Sequence, residues 1–441
     1  MVCENHTRVF LLFFLPSRPL HHPTLPLIRS ILSLPRSPSN PQGWIPLVVA
    51  ENKLNNDLIL NRMNQVHSFP TWVMNYGGFK GTIQLQSSFA TLLNRTFVPR
   101  EPVLDPNNFC ILSGCTGVLE ALFYCLGDEG QTVLIPAPYY PAFDNDTEAR
   151  AHLIPTPFFL NTETITKVEG QENDVFIIKQ LDGLKAEAEE QHRPLCALLI
   201  TNPNNPLGTI YSDETVLTMI EWCMRNDIHY ISDEIYALSV YGSEERGPFV
   251  SALTLAQQLV ANNTCTQHQV DTYVHLIYGM SKDWCGSGLR VGALYSRNQP
   301  LQQALMSLAG FSGISLHTQH ILSEVLADEE FTSNFVAHNQ ASLRDSYSVL
   351  SSALKAAGIP FVEAVAGMFV WVDLRQWLTE KSWEGEAVLW QRVCDECKVI
   401  LTPGKDCHAP EPGYFRVCFA WVQKEALEEA INRLVATVLT G

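Results

Sequence analysis

The sequence predicts an α/β enzyme fold, with a large domain built on a mostly parallel central sheet and a smaller α/β domain at its C-terminal end. From residue 40 onward, short apolar and β-branched runs alternate with longer mixed segments. Strands that alternate with helices form parallel sheets covered on both faces. Polar motifs follow several of the apolar runs directly, and the carboxyl edge of such a sheet is where ligands bind.

The alternation also places the individual elements. Strands of the central sheet are expected at Thr132–Ile135, Leu195–Thr201, Ile228–Ser232, Val274–Tyr278 and Gly292–Tyr295. Helices are expected at Gly117–Leu126 and Asp213–Asn226, with a long helical stretch at Leu316–Ala357. The smaller domain should contain strands near Met368–Asp373, Val399–Leu401 and Tyr414–Ala420.

These elements divide the chain into three parts. Residues 40–330 would form an N-terminal segment and the large domain, and residues 331–441 the small domain. Residues 1–39 are an atypical extension that we expect to be disordered, because they are rich in Pro, Ser and Leu. Their apolar run Val9–Leu15 meets Pro16 at once and lacks a small-residue cleavage site, so a targeting segment is the less favoured alternative. We therefore expect a cytoplasmic protein.

Composition excludes several classes of partner. The formal net charge of −17 disfavours nucleic acid and anionic membranes, which attract a basic face. The 12 cysteines have no regular spacing and indicate reduced thiols. Cys394 and Cys397 form a C-x-x-C pair, but no second pair or flanking histidine completes a zinc site, so we expect no metal.

The stretch from Ser281 to Gly292 carries the strongest chemical signal. Lys282 lies among small residues and glycines after an apolar run, and Arg290 follows eight positions later. A lysine in this setting can hold a carbonyl cofactor as a Schiff base, and the arginine can hold that cofactor's phosphate. This is the anchoring arrangement of enzymes that use pyridoxal phosphate (PLP).

Three further residues could serve the ring of such a cofactor. Asp233 ends an apolar run, where a carboxylate could bind a metal, form an ion pair or pair with a protonated pyridine nitrogen. Beside a Schiff-base lysine the last role is favoured, because a buried anion keeps the ring cationic. Asn205 and Tyr236 would lie at the same edge of the sheet and could donate to the cofactor's phenolic oxygen.

Other motifs could complete the site. Ser113–Gly117 precedes a helix, whose first N–H groups can bind phosphate, although ordinary helix starts look similar. Tyr140 lies in a proline-stiffened loop and could stack on the ring or simply pack in the core. Arg416 lies within an apolar strand, where its partner would be a substrate carboxylate or an internal acid.

Together, these motifs resemble fold-type I PLP-dependent enzymes, the aminotransferase class I/II superfamily. Within it, the chain most resembles 1-aminocyclopropane-1-carboxylate (ACC) synthases and ACC synthase-like proteins. The resemblance runs from about Asn40 to the C-terminus. Its most specific segments are Leu47–Leu54, Pro138–Pro141, Asn202–Gly208, Ser232–Tyr236, Ser281–Gly292 and Glu411–Ala420.

The resemblance implies a role for each matching residue around the PLP ring. Lys282 would form the internal aldimine and later move the Cα proton. Asp233 would pair with the pyridine nitrogen, Asn205 and Tyr236 would bind the phenolic oxygen, and Tyr140 would stack on the ring.

It also implies the phosphate and substrate contacts. Cys115, Thr116 and Arg290 would hold the phosphate, and Tyr76 would reach it from a neighbouring subunit, which implies a homodimer with shared active sites. The substrate would be an amino acid, with its α-carboxylate bound by Arg416 and with Glu51 beside it.

One position departs from the family pattern. A serine or threonine usually precedes the lysine by three residues and binds phosphate, whereas this chain has Gly279. Unless water or Ser281 replaces it, one phosphate hydrogen bond is lost. A charged hydrogen bond contributes roughly 1.5–3 kcal/mol, so its loss would lower cofactor affinity by about tenfold or more.

The residues leave the reaction open between several outcomes. Ala50-Glu51-Asn52 and Glu411–Ala420 favour an ACC synthase, which converts S-adenosylmethionine to ACC and methylthioadenosine. An amino acid aminotransferase and a C–S lyase are the alternatives, since both begin with the same removal of the Cα proton. A PLP-fold protein without catalysis is favoured least.

Overall fold

The structure is a computed structural model that describes residues 35–37, 39–98, 103–160, 171–242 and 249–439. Nearly all of the expected N-terminal extension therefore lies outside the described residues. Within the described ranges, no helix combines the length and the apolar character needed to cross a membrane. The cysteines of these ranges are free thiols.

A seven-stranded sheet forms the centre of the molecule. Its strands, in chain order, are β2 (Phe109–Ser113), β3 (Thr132–Ala137), β4 (Ile154–Phe159), β5 (Leu195–Thr201), β6 (His229–Asp233), β7 (Val274–Gly279) and β8 (Val291–Tyr295). Their spatial order is β2-β8-β7-β6-β5-β3-β4, and only β8 runs antiparallel to its neighbours. These directions confirm the predicted mostly parallel sheet. Parallel neighbours need crossover connections, which helices supply here.

Helices cover this sheet and continue into the C-terminal part. They are α1 (Asn56–Val66), α2 (Ile83–Thr96), α3 (Gly114–Leu126), α4 (Ala142–Glu148), α5 (Gln171–Glu190), α6 (Asp213–Arg225), α7 (Ala252–Ala261), α8 (Gln267–Tyr273), α9 (Gln299–Ser312), α10 (Leu316–Ala327), α11 (Glu329–Ala356), α12 (Trp383–Arg392) and α13 (Lys424–Leu434). Several begin at side-chain caps, which satisfy a free backbone N–H. Ser212, for example, accepts from the Thr215 N–H at the start of α6.

The C-terminal part has its own sheet. Strands β9 (Phe361–Val362), β10 (Phe369–Asp373), β12 (Thr402–Pro403) and β13 (Tyr414–Cys418) form an antiparallel sheet in the order β12-β13-β10-β9. A separate parallel pair joins β1 (Ile45–Pro46) to β11 (Val399–Ile400). The N-terminal segment is therefore hydrogen-bonded to the C-terminal part.

One sequence prediction needs correction. The long helical stretch Leu316–Ala357 is two helices, because Asp328 ends α10 and caps α11 by accepting from the Phe331 N–H. The strand predicted near Val399–Leu401 is present as β11, and its backbone pairs with Ile45–Pro46.

The carboxyl edge of the central sheet gathers the polar motifs. Strands β5, β6 and β7 end there at Thr201, Asp233 and Gly279. Because β8 runs the other way, it begins at the same edge, directly after Arg290. The residues with predicted chemistry are thus brought to one side of the molecule.

Candidate active site

Lys282 lies just beyond the end of β7. Its Nζ donates a 2.6 Å hydrogen bond to the carbonyl oxygen of Ala50, which comes from the N-terminal segment. Burial lowers the pKa of this amine to about 8, while the nearby Glu51 carboxylate opposes the shift and Arg416 adds to it. A lysine held in this state supplies a neutral amine near physiological pH.

The neighbouring Asp283 fixes the turn that carries this lysine. Its buried carboxyl group accepts hydrogen bonds from the Leu238 N–H, the Ser239 hydroxyl and the Tyr278 hydroxyl. Trp284 donates in turn to the Tyr278 hydroxyl. The turn after β7 is therefore fastened to the loop after β6, which positions Lys282 relative to the end of that strand.

Asp233 is buried at the end of β6. One carboxylate oxygen accepts from the Ile235 N–H at 3.3 Å. Burial raises the pKa of this carboxyl to about 7, although that hydrogen bond and the charge of Lys282 favour its ionised form. Such a group gains stability from a cationic partner, as a protonated ring nitrogen would be.

Arg416 is fully buried on β13 and reaches across to the central sheet. Its Nη1 donates to the Asn205 side-chain oxygen at 2.9 Å, and its Nη2 donates to the Val48 carbonyl and the Thr402 hydroxyl. The guanidinium also lies over the Phe369 ring, 4.6 Å from its centre. Because Arg416 holds the oxygen of the Asn205 amide, the amide nitrogen is left to donate elsewhere.

The start of α3 meets Arg290 at the same edge. Gly114 has a φ of +80°, and a Cβ there would lie 2.6 Å from Arg290 Nη2. Only a glycine fits, since both the left-handed backbone and the close approach exclude a side chain. The guanidinium therefore lies against the first turn of α3, which carries Cys115 and Thr116 and whose N–H groups favour an anion.

Glu51 approaches the lysine from the N-terminal segment. Its carboxylate accepts a 2.7 Å hydrogen bond from Ser287, a residue on the turn between Lys282 and Arg290. The sequence analysis selected Glu51 but missed Ser287. The motif that contains Ser287 is visible in the sequence, but its contact with a residue 236 positions away is not.

Tyr140 and Tyr236 lie near the charged groups at the ends of the strands. Burial raises the pKa of both phenols, and both lie close enough to Asp233 and Arg416 for those charges to affect them. The loop that carries Tyr140 is tied to the C-terminal part by its neighbour. The Tyr139 hydroxyl donates to one carboxylate oxygen of Asp144 on α4. The other oxygen of Asp144 lies 2.8 Å from Nε2 of His408, which belongs to the C-terminal part.

A second buried acid was not predicted. Asp146 on α4 is 3% exposed, and its Oδ1 has no hydrogen-bond partner. Burial raises its pKa to about 8, and the charges of Asp233 and Arg290 act on it. Its position six residues after Tyr140, on the helix that starts at the same loop, was the available signal.

Tyr76 is the one predicted site residue that stands apart. It is 99% exposed, on a segment that also exposes Met74 and Phe79. Within the described ranges, no group of three or more His, Cys, Asp or Glu side chains is placed to hold a metal ion. The site therefore combines cations, acids and phenols, of which Arg416, Asp233, Asp146 and Tyr236 are buried.

Comparisons with known proteins test the family resemblance. Residues 48–434 match the model of the family described as aminotransferase class I and II. The chain is 34% identical over 408 residues to 1-aminocyclopropane-1-carboxylate synthase 8 of Arabidopsis thaliana, covering 90% of this chain and 83% of that protein. It is also 34% identical over 411 residues to 1-aminocyclopropane-1-carboxylate synthase 1 of Oryza sativa subsp. indica, with 90% and 81% covered.

Solved structures share the fold at lower identity. Aspartate aminotransferase of Thermus thermophilus with maleate superposes with a TM-score of 0.71 at 19% identity, covering 89% of this chain and 91% of that chain. An aminotransferase of Staphylococcus aureus gives 0.70 at 22% identity, with 90% and 94% covered. The sheet order, the gathered site and these matches together place the chain among the enzymes of the aminotransferase class I and II family.

Proposed function

We propose that the protein is a PLP-dependent enzyme that acts on α-amino acids. The main support is that the Lys282 amine, the Asp233 carboxyl and the Arg416 guanidinium lie near one another, although they come from three distant parts of the chain. Their charges act on one another: Lys282 favours the ionised form of Asp233, and Arg416 lowers the pKa of Lys282. Cation, acid and amine in one buried site are the groups that an amino-acid substrate and a PLP ring require.

The residues present fit this cofactor. Gly114 leaves space at the start of α3 for the Arg290 guanidinium, and a phosphate at this helix start would meet N–H donors and a cation. The groups that would hold PLP are Lys282, Asp233, Asn205, Tyr236, Tyr140, Cys115, Thr116 and Arg290. When bound, PLP supplies an electron sink for the pair left at the substrate Cα.

The chain's own residues account for the other requirements. Lys282, with its lowered pKa, would remove the Cα proton. Arg416 would orient the α-carboxylate through its planar fork. Glu51, held by Ser287 next to the lysine, would place a negative charge on the substrate side.

The substrate we propose is S-adenosylmethionine, converted to ACC and methylthioadenosine. After proton removal, a Cα–Cγ bond would form while the Cγ–sulfur bond breaks, and the sulfur would leave with the electron pair. Support comes from the ACC synthases that are 30–34% identical over about nine-tenths of the chain. The Glu51 carboxylate beside Lys282 also suits a substrate that carries a positive sulfonium.

Product analysis tests this reaction directly. Purified, PLP-supplemented protein would be incubated with S-adenosylmethionine, and separately with alanine or aromatic amino acids plus 2-oxoglutarate. We expect ACC and methylthioadenosine in the first mixture. Keto acid from the second mixture alone would make the enzyme an aminotransferase, and release of a thiol, ammonia and pyruvate from an S-alkylcysteine in a third mixture would make it a C–S lyase.

We also infer a homodimer in which Tyr76 serves the neighbouring site. The exposed side chains Met74, Tyr76 and Phe79 favour burial against a partner, and a second copy would cover the same patch symmetrically. Phe311, at the end of α9, is likewise 80% exposed.

The free thiols of the described residues suit the reducing cytoplasm as the compartment of the protein.

Mixing inactive variants tests the shared site. Lys282→Ala and Tyr76→Ala chains, unfolded and refolded together, should regain about one quarter of the wild-type sites, because half of the dimers are mixed and each contains one intact site. A mixture of Lys282→Ala and Arg416→Ala chains is the control and should regain none, since both residues would serve the same site. Equal recovery in both mixtures would contradict a Tyr76 that acts across the interface.

A further inference from the structure

The ends of β7 and β8 carry a pair of glycines beneath the start of α3. Gly279 and Gly292 are paired in the sheet register. A Cβ on Gly292 would lie 2.4 Å from the Gly114 carbonyl carbon and 2.5 Å from the Cys115 nitrogen. Atoms cannot approach so closely, so the first turn of α3 is pressed onto the strand pair.

The Cys115 sulfur lies where a side chain on residue 279 would begin. A Cβ on Gly279 would be 3.1 Å from Cys115 Sγ and 2.7 Å from the Val291 carbonyl oxygen. The thiol is directed toward this strand, because its Sγ donates to the Tyr278 carbonyl at 3.6 Å. A side chain at position 279 would therefore press against the Cys115 sulfur, which would have to give way by a few tenths of an ångström.

We propose that Cys115 and Gly279 are a complementary pair that sets how tightly the cofactor phosphate is held. In the resembled family a hydroxyl residue usually occupies position 279, whereas here the residue is Gly279 and a sulfur lies 3.1 Å from where its Cβ would be. A thiol is a weaker hydrogen-bond donor than a hydroxyl, and the Cys115 thiol already donates to the Tyr278 carbonyl oxygen. Residue 115 would then contact the phosphate only through its backbone N–H. The inference rests on the proposed PLP binding.

The pair makes a counterintuitive prediction. Restoring the family's serine by Gly279→Ser adds a phosphate donor, yet in the presence of Cys115 it should not tighten binding. The new Cβ would meet both the Sγ and the Val291 carbonyl oxygen, and the latter can move only if the β7–β8 pair shifts. Removing the sulfur first should relieve one of these two contacts.

A double-mutant cycle measures the coupling. PLP dissociation constants would be obtained by absorbance titration for wild type, Gly279→Ser, Cys115→Ala and the double variant, with Cys125→Ala as a thiol control on the same helix. We expect Gly279→Ser alone to weaken binding at least about threefold. In the Cys115→Ala background, the same change should be at least about fivefold more favourable, since residues in contact are not additive.

One further measurement shows whether a change in PLP binding reflects a change in folding. Thermal unfolding of the four apoproteins reports whether Gly279→Ser folds, and the same non-additivity should appear there without cofactor. Independent effects at the two positions, or a Gly279→Ser protein that binds PLP tenfold more tightly than wild type, would overturn the pairing. A wild type that binds no PLP would instead refute the proposed function.

Discussion

At the scale of single residues, Ser287 has the most specific contact outside the predicted set. Its hydroxyl donates to Glu51 at 2.7 Å. We expect Ser287→Ala to raise the substrate KM by roughly three- to tenfold with a smaller effect on kcat, since one hydrogen bond to a charged group is lost at a partly exposed position. Ser287→Thr should restore the KM because it keeps the hydroxyl.

Steady-state kinetics of these variants would be compared with those of Ser348→Ala, an exposed serine on α11 whose hydroxyl contacts only its own helix. A KM that is unchanged in Ser287→Ala would contradict the positioning role. So would a Ser287→Thr variant no better than the alanine.

Lys282 gives the second prediction at this scale. Its pKa of about 8 means that its neutral amine appears well below the pH at which an ordinary lysine loses its proton. The rate at which the apoprotein takes up added PLP should therefore rise with pH and level off above a midpoint near 8. Glu51→Gln should move that midpoint to lower pH, because the Glu51 carboxylate stabilises the ammonium. A midpoint near 10, or an upward shift in Glu51→Gln, would contradict this electrostatic account.

Some residues of the site can be predicted from the sequence, and others are found only in the structure. Four of them stand in short motifs whose residue types suit the chemistry, and the fold brings them together; they are Lys282, Asp233, Asn205 and Arg416. Ser287 lies within the Ser281–Gly292 segment, and Asp146 lies on the helix that starts at the Tyr140 loop. What makes them important is a contact across the chain for Ser287 and burial for Asp146, and neither can be read from the local sequence.

At the scale of elements, hydrogen bonds to the Asp283 carboxyl link the loop after β6 to the end of β7. It accepts three hydrogen bonds in a buried setting. Asp283→Ala should lower the free energy of unfolding by about 3 kcal/mol, because buried donors lose their acceptor. Asp283→Asn should recover at least half of that loss, since the Ser239 hydroxyl can accept as well as donate. Urea unfolding measures both, and equal losses in the two variants would contradict the hydrogen-bond account.

The elements themselves were predicted well where local signals decide them. Strand β5 matches its predicted range, and β6 to β8 differ from theirs by a residue at one or both ends. The break between α10 and α11 was missed, although Asp328 is a capping residue type, because the helical pattern continues on both sides. The pairing of β11 with β1 was missed because a short strand does not specify its distant partner.

At the scale of the whole molecule, the opposite edge of the central sheet contains a pair of histidines, of which His275 is buried and His229 is partly buried. His229 Nδ1 lies 2.9 Å from His275 Nε2, and His275 Nδ1 lies 2.9 Å from the Ser296 hydroxyl. Burial lowers the pKa of His229 to about 4 and that of His275 well below its ordinary value. Both rings are therefore neutral in the folded protein at physiological pH.

This pair contributes stability that is lost in acid. The pKa of His229 in the folded state lies below its value in the unfolded chain. Between about pH 6.5 and 4, the unfolded chain therefore binds a proton at His229 and the folded chain does not. Buried carboxyls with raised pKa, such as Asp233, act in the opposite direction, so the test is a difference. The stability advantage of wild type over His229→Asn should fall as pH falls through this window, by up to about 1.4 kcal/mol per pH unit.

His192→Asn is the matched control. His192 is exposed with a φ of 56°, a conformation that asparagine also tolerates. A His229→Asn difference that varies with pH no more than the His192→Asn difference would contradict the lowered pKa of His229.

The complete site exists only in the assembled molecule. Arg416 lies on the C-terminal sheet, Ala50 and Glu51 on the N-terminal segment, and Lys282 on the central sheet, and they meet through the contacts of Arg416 with Asn205 and of Lys282 with Ala50. The sequence predicts the parts, because each motif has a local signature. Their distances depend on packing between distant segments, which no single stretch of sequence encodes.

The most direct test of the central claim is the visible absorbance of protein supplemented with PLP and then dialysed. Wild type should retain an absorbance band of bound cofactor, and Lys282→Ala should lose it. Lys185→Ala, which removes a partly exposed lysine on α5, should keep the band. A wild type without the band, or a Lys282→Ala protein that retains it unchanged, would contradict the assignment of Lys282 as the residue that holds PLP.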